Sequence, residues 1–126
     1  MKHEYKLFYL ASPYSHDDPA IRQKRYEEVN DATIILLKQQ VYAFSPITYN
    51  HPMERHDLPT TWDFWKPYDI AFLERCSAVL VLKMDGWKES IGVTAEIEKA
   101  KSLGIPIQYL EPEDVFTEGF KFVDQT

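Results

Sequence analysis

Apolar positions along the chain fall into short unbroken runs separated by longer stretches with helical spacing. Leu7-Phe8-Tyr9-Leu10-Ala11 is a compact apolar run stopped by Ser12-Pro13, which predicts a buried strand. Asp18-Pro19 is a helix start, with Asp at the N-cap and Pro at the first helical position. Ile21, Arg25, Val29, Ala32 and Leu36 then recur every three or four residues, predicting an amphipathic helix over residues 19–39. Its basic side chains Arg22, Lys24 and Arg25 fall mostly on the wet side. Val41-Tyr42-Ala43-Phe44-Ser45 reads as a second strand closed by Pro46. Residues 47–59 show no period and read as an irregular loop. Residues 60–63 resemble a capping box with Asp63 in the last position, opening a helix to about Arg75. Pro67 inside that helix predicts a kink or two short helices in succession. Residues 77–82 form a third apolar run, and a third helical pattern opens at Ser90 and stops at Leu103-Gly104. Residues 105–110 read as a fourth strand, with Pro106 marking an edge or a first position. Residues 112–116 suit a short acidic helical turn, and no pattern is readable from Glu118 onward.

Strands alternating with helices imply parallel pairing through right-handed crossovers. The expected fold is α/β: a single flavodoxin-like or Rossmann-like domain over residues 1–126. Its parallel sheet would have four or five strands in the order 2-1-3-4, with helices on both faces. The switch point then lies between strands one and three, where open α/β sheets bind ligands. That geometry brings the loop after Tyr9 and the loop after Leu82 to one crevice.

The 126 residues are 44% hydrophobic and 14% aromatic, enough for a real core and too apolar for disorder. A net charge of −6 argues against a nucleic-acid polymer as partner, since that needs a basic face. No apolar stretch approaches the ~20 residues of a membrane span, so no membrane partner is expected. Met1 and the polar residues after it run straight into the first strand, leaving no room for a signal peptide. The lone Cys76 excludes an internal disulfide and reads as a small buried side chain. Together these predict a cytoplasmic protein.

The stretch from Leu82 to Lys101 holds the most suggestive chemistry. An apolar strand gives way to a polar turn at Asp85-Gly86, and a helix follows that carries Glu96 about one turn in. Asp85 reads as turn chemistry with Gly86. Asp69 lies in the helix that feeds the third strand. Two carboxyls on one pocket, one ionised and one protonated, suit bond cleavage at a sugar carbon. No glycine-rich phosphate loop follows the first strand, where Ser12-Pro13-Tyr14-Ser15 stands instead; its hydroxyls could still contact a sugar or a phosphate. His51 and His56 flank a proline-containing loop without metal-ligand spacing, so no metal and no organic cofactor is expected. Trp62, Trp65 and Trp87 read as core or pocket wall.

Tyr9, Asp69 and the run Gly86-Trp87-Lys88-Glu89-Ser90-Ile91-Gly92-Val93-Thr94-Ala95-Glu96 resemble the nucleoside 2-deoxyribosyltransferase superfamily, which includes the 2′-deoxynucleoside 5′-monophosphate N-hydrolases. The likeness is closest to its small members, which share a SPYSH-like first loop, and covers residues 7–110. The resemblance implies that Glu96 is a nucleophile forming a glycosyl-enzyme ester, that Tyr9 orients it, and that Asp69 assists the leaving base. It places substrate contacts at Ser12, Tyr14, Ser15, His51, Trp87, Ser90 and Gly92. Ser90 stands where the transferases carry an aspartate for the 5′-hydroxyl and the nucleotide hydrolases a serine for the 5′-phosphate, which tilts the expectation toward a nucleotide. Pro13 and Ser15 depart from the serine and arginine that bind phosphate in the hydrolases, leaving Arg22, Arg25, His16 or His51 as replacements. The family's assemblies imply a homo-oligomer, a dimer or larger, with the aromatic residues 49–65 as a candidate contact.

The expected activity is therefore base–sugar cleavage of a (deoxy)nucleoside or its 5′-monophosphate. A transferase with a free base as acceptor, a nucleotide-binding sensor without turnover, and a protein-binding scaffold remain as alternatives.

Overall fold

The computed structural model describes residues 3–56 and 58–126, with the side chains of residues 55–57 outside the description. Met1, where a leader was judged absent, and the His56 side chain therefore lie outside the described part. Four strands, β1 (Leu7–Ala11), β2 (Tyr42–Phe44), β3 (Ala78–Leu82) and β4 (Ile107–Leu110), form one parallel sheet in the order β2-β1-β3-β4. Among the described residues, five α-helices accompany them: α1 (Pro19–Lys38), α2 (Pro46–Asn50), α3 (Trp62–Leu73), α4 (Ile91–Ser102) and α5 (Pro112–Val115).

The side-chain alternation of the two central strands divides the core. Phe8 and Leu10 of β1 and Leu80 and Leu82 of β3 face α1 and α5, meeting Val29, Ala32, Leu36 and Val115. Tyr9 and Ala11, with Val79 and Val81, point the other way and meet Leu73 of α3 and Val93 and Ala100 of α4. The register sets Tyr9 opposite Val79 and Ala11 opposite Val81, so β1 and β3 end at the same level. Because β3 is covered on both faces, all five of its residues are buried, as its unbroken apolar run requires.

Local signals start the helices. Asp18 caps α1 by accepting from the Ala20 N–H at 2.9 Å, and Ser90 caps α4 by accepting from the Val93 N–H at 3.2 Å. Each cap contributes about 1 kcal/mol. β4 is an edge strand, which accommodates Pro106 just before it.

Several expectations are corrected. Residues 47–59 are not a structureless loop: Ser45 caps a short α2, accepting from the Thr48 N–H at 3.2 Å, and a 3₁₀ turn follows at His51–His56. The segment at 60–63 forms no capping box, since α3 starts after Thr61 and Thr61 makes no side-chain cap. Pro67 does not split α3, which runs unbroken from Trp62 to Leu73. At the sixth position of the helix it removes only one backbone donor. Arg22 and Arg25 are half-buried rather than on the wet side; of the three basic residues only Lys24 is exposed. The segment after Glu118 is an ordered strap over the α1 face. The Gln39 side chain donates to the Phe120 carbonyl and accepts from the Phe122 N–H, each at 2.8 Å. Gln108 does the same with Val123 and Gln125, each at 2.9 Å.

Candidate active site

Loops leaving the carboxyl ends of β1, β2 and β3 converge on one cavity of about 290 Å³. The loop after β1 supplies Ser12, Tyr14 and Ser15. The segment after β2 supplies Pro46, Ile47, Asn50 and Glu54, and α3 supplies Trp62, Trp65 and Asp69. The turn before α4 and its first turns supply Glu89, Ser90, Ile91, Gly92 and Glu96. This is the switch point of the sheet, where the chain leaves β1 for β2 on one side and β3 lies on the other.

Glu96 points from α4 back onto the sheet and is 4% exposed. The Tyr9 hydroxyl, at the centre of β1 and fully buried, donates a hydrogen bond to Glu96 Oε2. Asp69, 7% exposed, accepts from Asn50 Nδ2 at 3.2 Å through Oδ1. Burial pushes the Glu96 carboxyl up to about 8; the Tyr9 hydrogen bond pulls it down and the Asp69 charge adds to the rise. Burial likewise pushes Asp69 up to about 6, with the Asn50 hydrogen bond opposing. Tyr9 is raised well above the usual phenol range by burial and then by the two carboxylates, so it stays a neutral donor. Between about pH 6 and about pH 8 the pair therefore carries one proton, held mainly by Glu96.

Around the pair, the first turn of α4 approaches α3 closely. A Cβ on Gly92 would lie 3.2 Å from the Trp62 ring, so the missing side chain lets the indole form a wall of the cavity. Two buried polar atoms in the walls, Ser12 Oγ and Asn50 Oδ1, have no partner among the described residues. Ser90 Oγ accepts its capping bond and keeps its proton free to donate.

Ser12, Tyr14, Ser15, Asp69, Ser90, Gly92 and Glu96, expected at the site, all line this cavity, with Tyr9 immediately behind Glu96. Trp87 and His51 do not line it. Trp87 packs against Tyr109 of the edge strand at 5.8 Å, because the turn before α4 folds it over the sheet. His51 is held one layer back: its Nδ1 pairs with the Tyr14 hydroxyl at 2.7 Å, its Nε2 with Gln23 Oε1 at 2.9 Å, and Tyr26 stacks on its ring at 4.2 Å. Asn50, Glu54 and Glu89 escaped the sequence reading. The Ser45-Pro46 pair, the same cap-plus-proline signal as Asp18-Pro19, marks α2 and could have placed Asn50 on a helix facing the crevice.

The Domain of unknown function (DUF1937) family model matches residues 6–111, which is most of the chain and every residue of the cavity. The chain belongs to this family. No curated protein matches it in sequence. Among solved structures, this DUF1937 member is similar to a 2-deoxyribosyltransferase from the psychrotolerant bacterium Bacillus psychrosaccharolyticus, with a TM-score of 0.56 and 18% identity over 84% of this chain and 72% of that one. The DUF1937 chain thus has the deoxyribosyltransferase-like fold, an open parallel sheet of order 2-1-3-4. Among the described residues, no helix is long and apolar enough to cross a membrane and no cluster of His, Cys, Asp and Glu could hold a metal ion.

Proposed function

We propose that the protein is an N-glycosidase that releases the base from a (deoxy)nucleoside or its 5′-monophosphate through a glycosyl ester on Glu96. One observation carries the reading: two buried carboxyls, Glu96 and Asp69, face a single cavity, and a buried tyrosine hydroxyl fixes one oxygen of Glu96. The fold shared with a 2-deoxyribosyltransferase supports the same class of chemistry.

In this mechanism the free oxygen of Glu96 attacks the anomeric carbon. The carbon–nitrogen bond breaks with its electron pair passing to the base. The shared proton, moved to Asp69 as positive charge develops on the sugar and favours ionised Glu96, is donated to the departing nitrogen. Water then attacks the same carbon, the ester opens to restore the Glu96 carboxylate, and Asp69 takes the water proton. Tyr9 supplies a hydrogen bond to the nucleophile throughout. A free base replacing water in the second step makes the enzyme a transferase, with unchanged roles for all three side chains. A second copy is proposed to seat against the aromatic stripe of Phe64, Tyr68 and Phe72, spaced four residues apart along α3, each more than a third exposed.

Incubation with a panel of nucleosides and their monophosphates, with free base measured by chromatography, tests the reading. Base release from at least one member is expected, and added acceptor base distinguishes exchange from hydrolysis. Absence of release across the panel would overturn it in favour of a binding module without turnover.

A further inference from the structure

Resting on that glycosidase reading, we propose that Asn50 is a positioning residue, which holds one oxygen of Asp69 so that the other meets the departing base.

The contact joins two buried side chains from different elements. Asn50 ends α2 and is 8% exposed; Asp69 sits two turns into α3 and is 7% exposed. Both line the cavity. Asn50 Nδ2 donates to Asp69 Oδ1 at 3.2 Å. A carboxylate only accepts, so the amide nitrogen and not the amide oxygen faces it. With Oδ1 held, rotation of the carboxyl group is checked, and Oδ2 is the oxygen left for the leaving base.

Asn50 is itself anchored through its neighbours. His51, the next residue, meets the Tyr14 hydroxyl at 2.7 Å, Gln23 Oε1 at 2.9 Å and the stacked Tyr26 ring at 4.2 Å. Gln23 and Tyr26 belong to α1, so the end of α2 is tied to that helix. At the start of α2, Ser45 Oγ accepts from the Thr48 N–H at 3.2 Å and from its hydroxyl at 3.0 Å. Tyr49 stacks at 6.1 Å on Tyr68, the residue before Asp69. Contacts on both sides of Asn50 therefore fix its backbone relative to α3, the support that a positioned proton donor requires. His51 does not reach the cavity, but it bears on the site through the residue before it.

The bond also changes strength along the reaction. A hydrogen bond to a carboxylate is stronger than one to the neutral acid. As Asp69 passes its proton from Oδ2 to the departing nitrogen, the O–H electron pair stays on Oδ2. The new charge spreads to Oδ1, where Asn50 meets it. Asn50 thus favours the transition state of proton donation over the protonated ground state. The same contact opposes the rise that burial imposes on Asp69 and keeps its titration below that of Glu96. Among the described residues, the other titratable groups acting on or beside Asp69 are Glu96 of α4, Tyr9 of β1 and Tyr68 of α3. Glu54 and Glu89 share the cavity. Asn50 differs from all of these in bringing a donor and no charge.

The test is Asn50→Ala, with its fold verified by circular dichroism. On the best substrate of the panel, kcat should fall by ~10-fold or more while KM moves by less than ~3-fold. The acid limb of the kcat/KM profile should move up by about one pH unit, because loss of the donor leaves burial of Asp69 less opposed. In an Asp69→Asn background the same substitution should lower the residual rate by less than ~2-fold, since Asn50 acts through Asp69. An equal loss in both backgrounds, or an acid limb that stays in place, would overturn the proposal. Asn50→Leu, close in volume and lacking a donor, carries the same expectations should the alanine variant unfold. Carboxyl-carbon NMR follows Asp69 without turnover, its resonance identified by its loss in Asp69→Asn. If no compound of the panel releases base, the glycosidase reading fails on its own. An Asp69 midpoint raised in Asn50→Ala then still supports the hold of Asn50 on Asp69, and an unshifted midpoint overturns it.

Discussion

Burial of Glu96 and Asp69 disfavours their charged forms, and the hydrogen bonds from Tyr9 and Asn50 oppose that cost. The pKa values of the two carboxyls, about 8 and about 6, set the pH dependence of the proposed reaction. Below about pH 6 both carboxyls are protonated and no nucleophile exists; above about pH 8 the shared proton is gone and the leaving base receives none. The rate should therefore be bell-shaped, with limbs near those values, measured as kcat/KM across pH 5 to 9 in overlapping buffers. A rate that rises without limit through pH 9 would count against proton donation by the pair. Stability carries the same sign. The folded state raises Glu96 from an ordinary 4.5, so folded protein keeps a proton that the unfolded chain has released. The stability penalty is absent below pH 4.5, grows as pH rises through the window, and is complete above about pH 8. Glu96→Gln keeps an acceptor for Tyr9 and removes the penalty. It should stabilise the protein by roughly 1–2 kcal/mol at pH 8 and by little at pH 4.5, read from urea unfolding. Of these side chains, the residues alone singled out Glu96, by its place near a helix start, and Asp69, in the helix that feeds the third strand, while the role of Tyr9 came from the resemblance. Glu54 was not recognisable, because it lies in a 3₁₀ turn whose residues carry no apolar period, and Asn50 was marked only by the Ser45-Pro46 start of its short helix.

The elements around the site are pinned to one another by α1. Arg25, at its second turn, holds the carbonyls of the loop after β1 and of the turn after β3 together. Gly86 makes that approach possible: its φ is +89°, and a Cβ there would stand 2.5 Å from the Arg25 guanidinium. Gly86→Ala should cost about 1–3 kcal/mol of stability, and by loosening both loops raise KM more than it lowers kcat. A variant with wild-type stability and KM would show that the bridge is dispensable. The strands and long helices were readable because each obeys one period and one cap. Arg22 and Arg25 were misplaced because helical periodicity ranks a basic residue as wet and takes no account of carbonyls from distant loops.

Across the chain, the sheet order and the two-faced core follow from strand–helix alternation, and both were readable from the sequence. The C-terminal strap was not, since its attachment relies on two glutamine amides rather than on any pattern within the strap. Gln39 alone joins it twice, and Phe122 meets Phe8 edge to face at 5.6 Å. Gln39→Ala should destabilise the protein by about 1–3 kcal/mol in urea unfolding and leave kcat near wild type, because the strap covers the face of the sheet opposite α3 and α4. Loss of base release at unchanged stability would contradict this separation of scaffold from site. The acidic balance, the crevice at the sheet's switch point and the buried carboxyl pair all bear on one proposed reaction, which depends on one side chain. The direct test is the rate of base release by Glu96→Ala, compared with wild type on the best substrate of the panel, with the variant's fold verified by circular dichroism. A fall of ~10⁴-fold or more is expected for a missing nucleophile. Release at the wild-type rate would contradict the role assigned to Glu96.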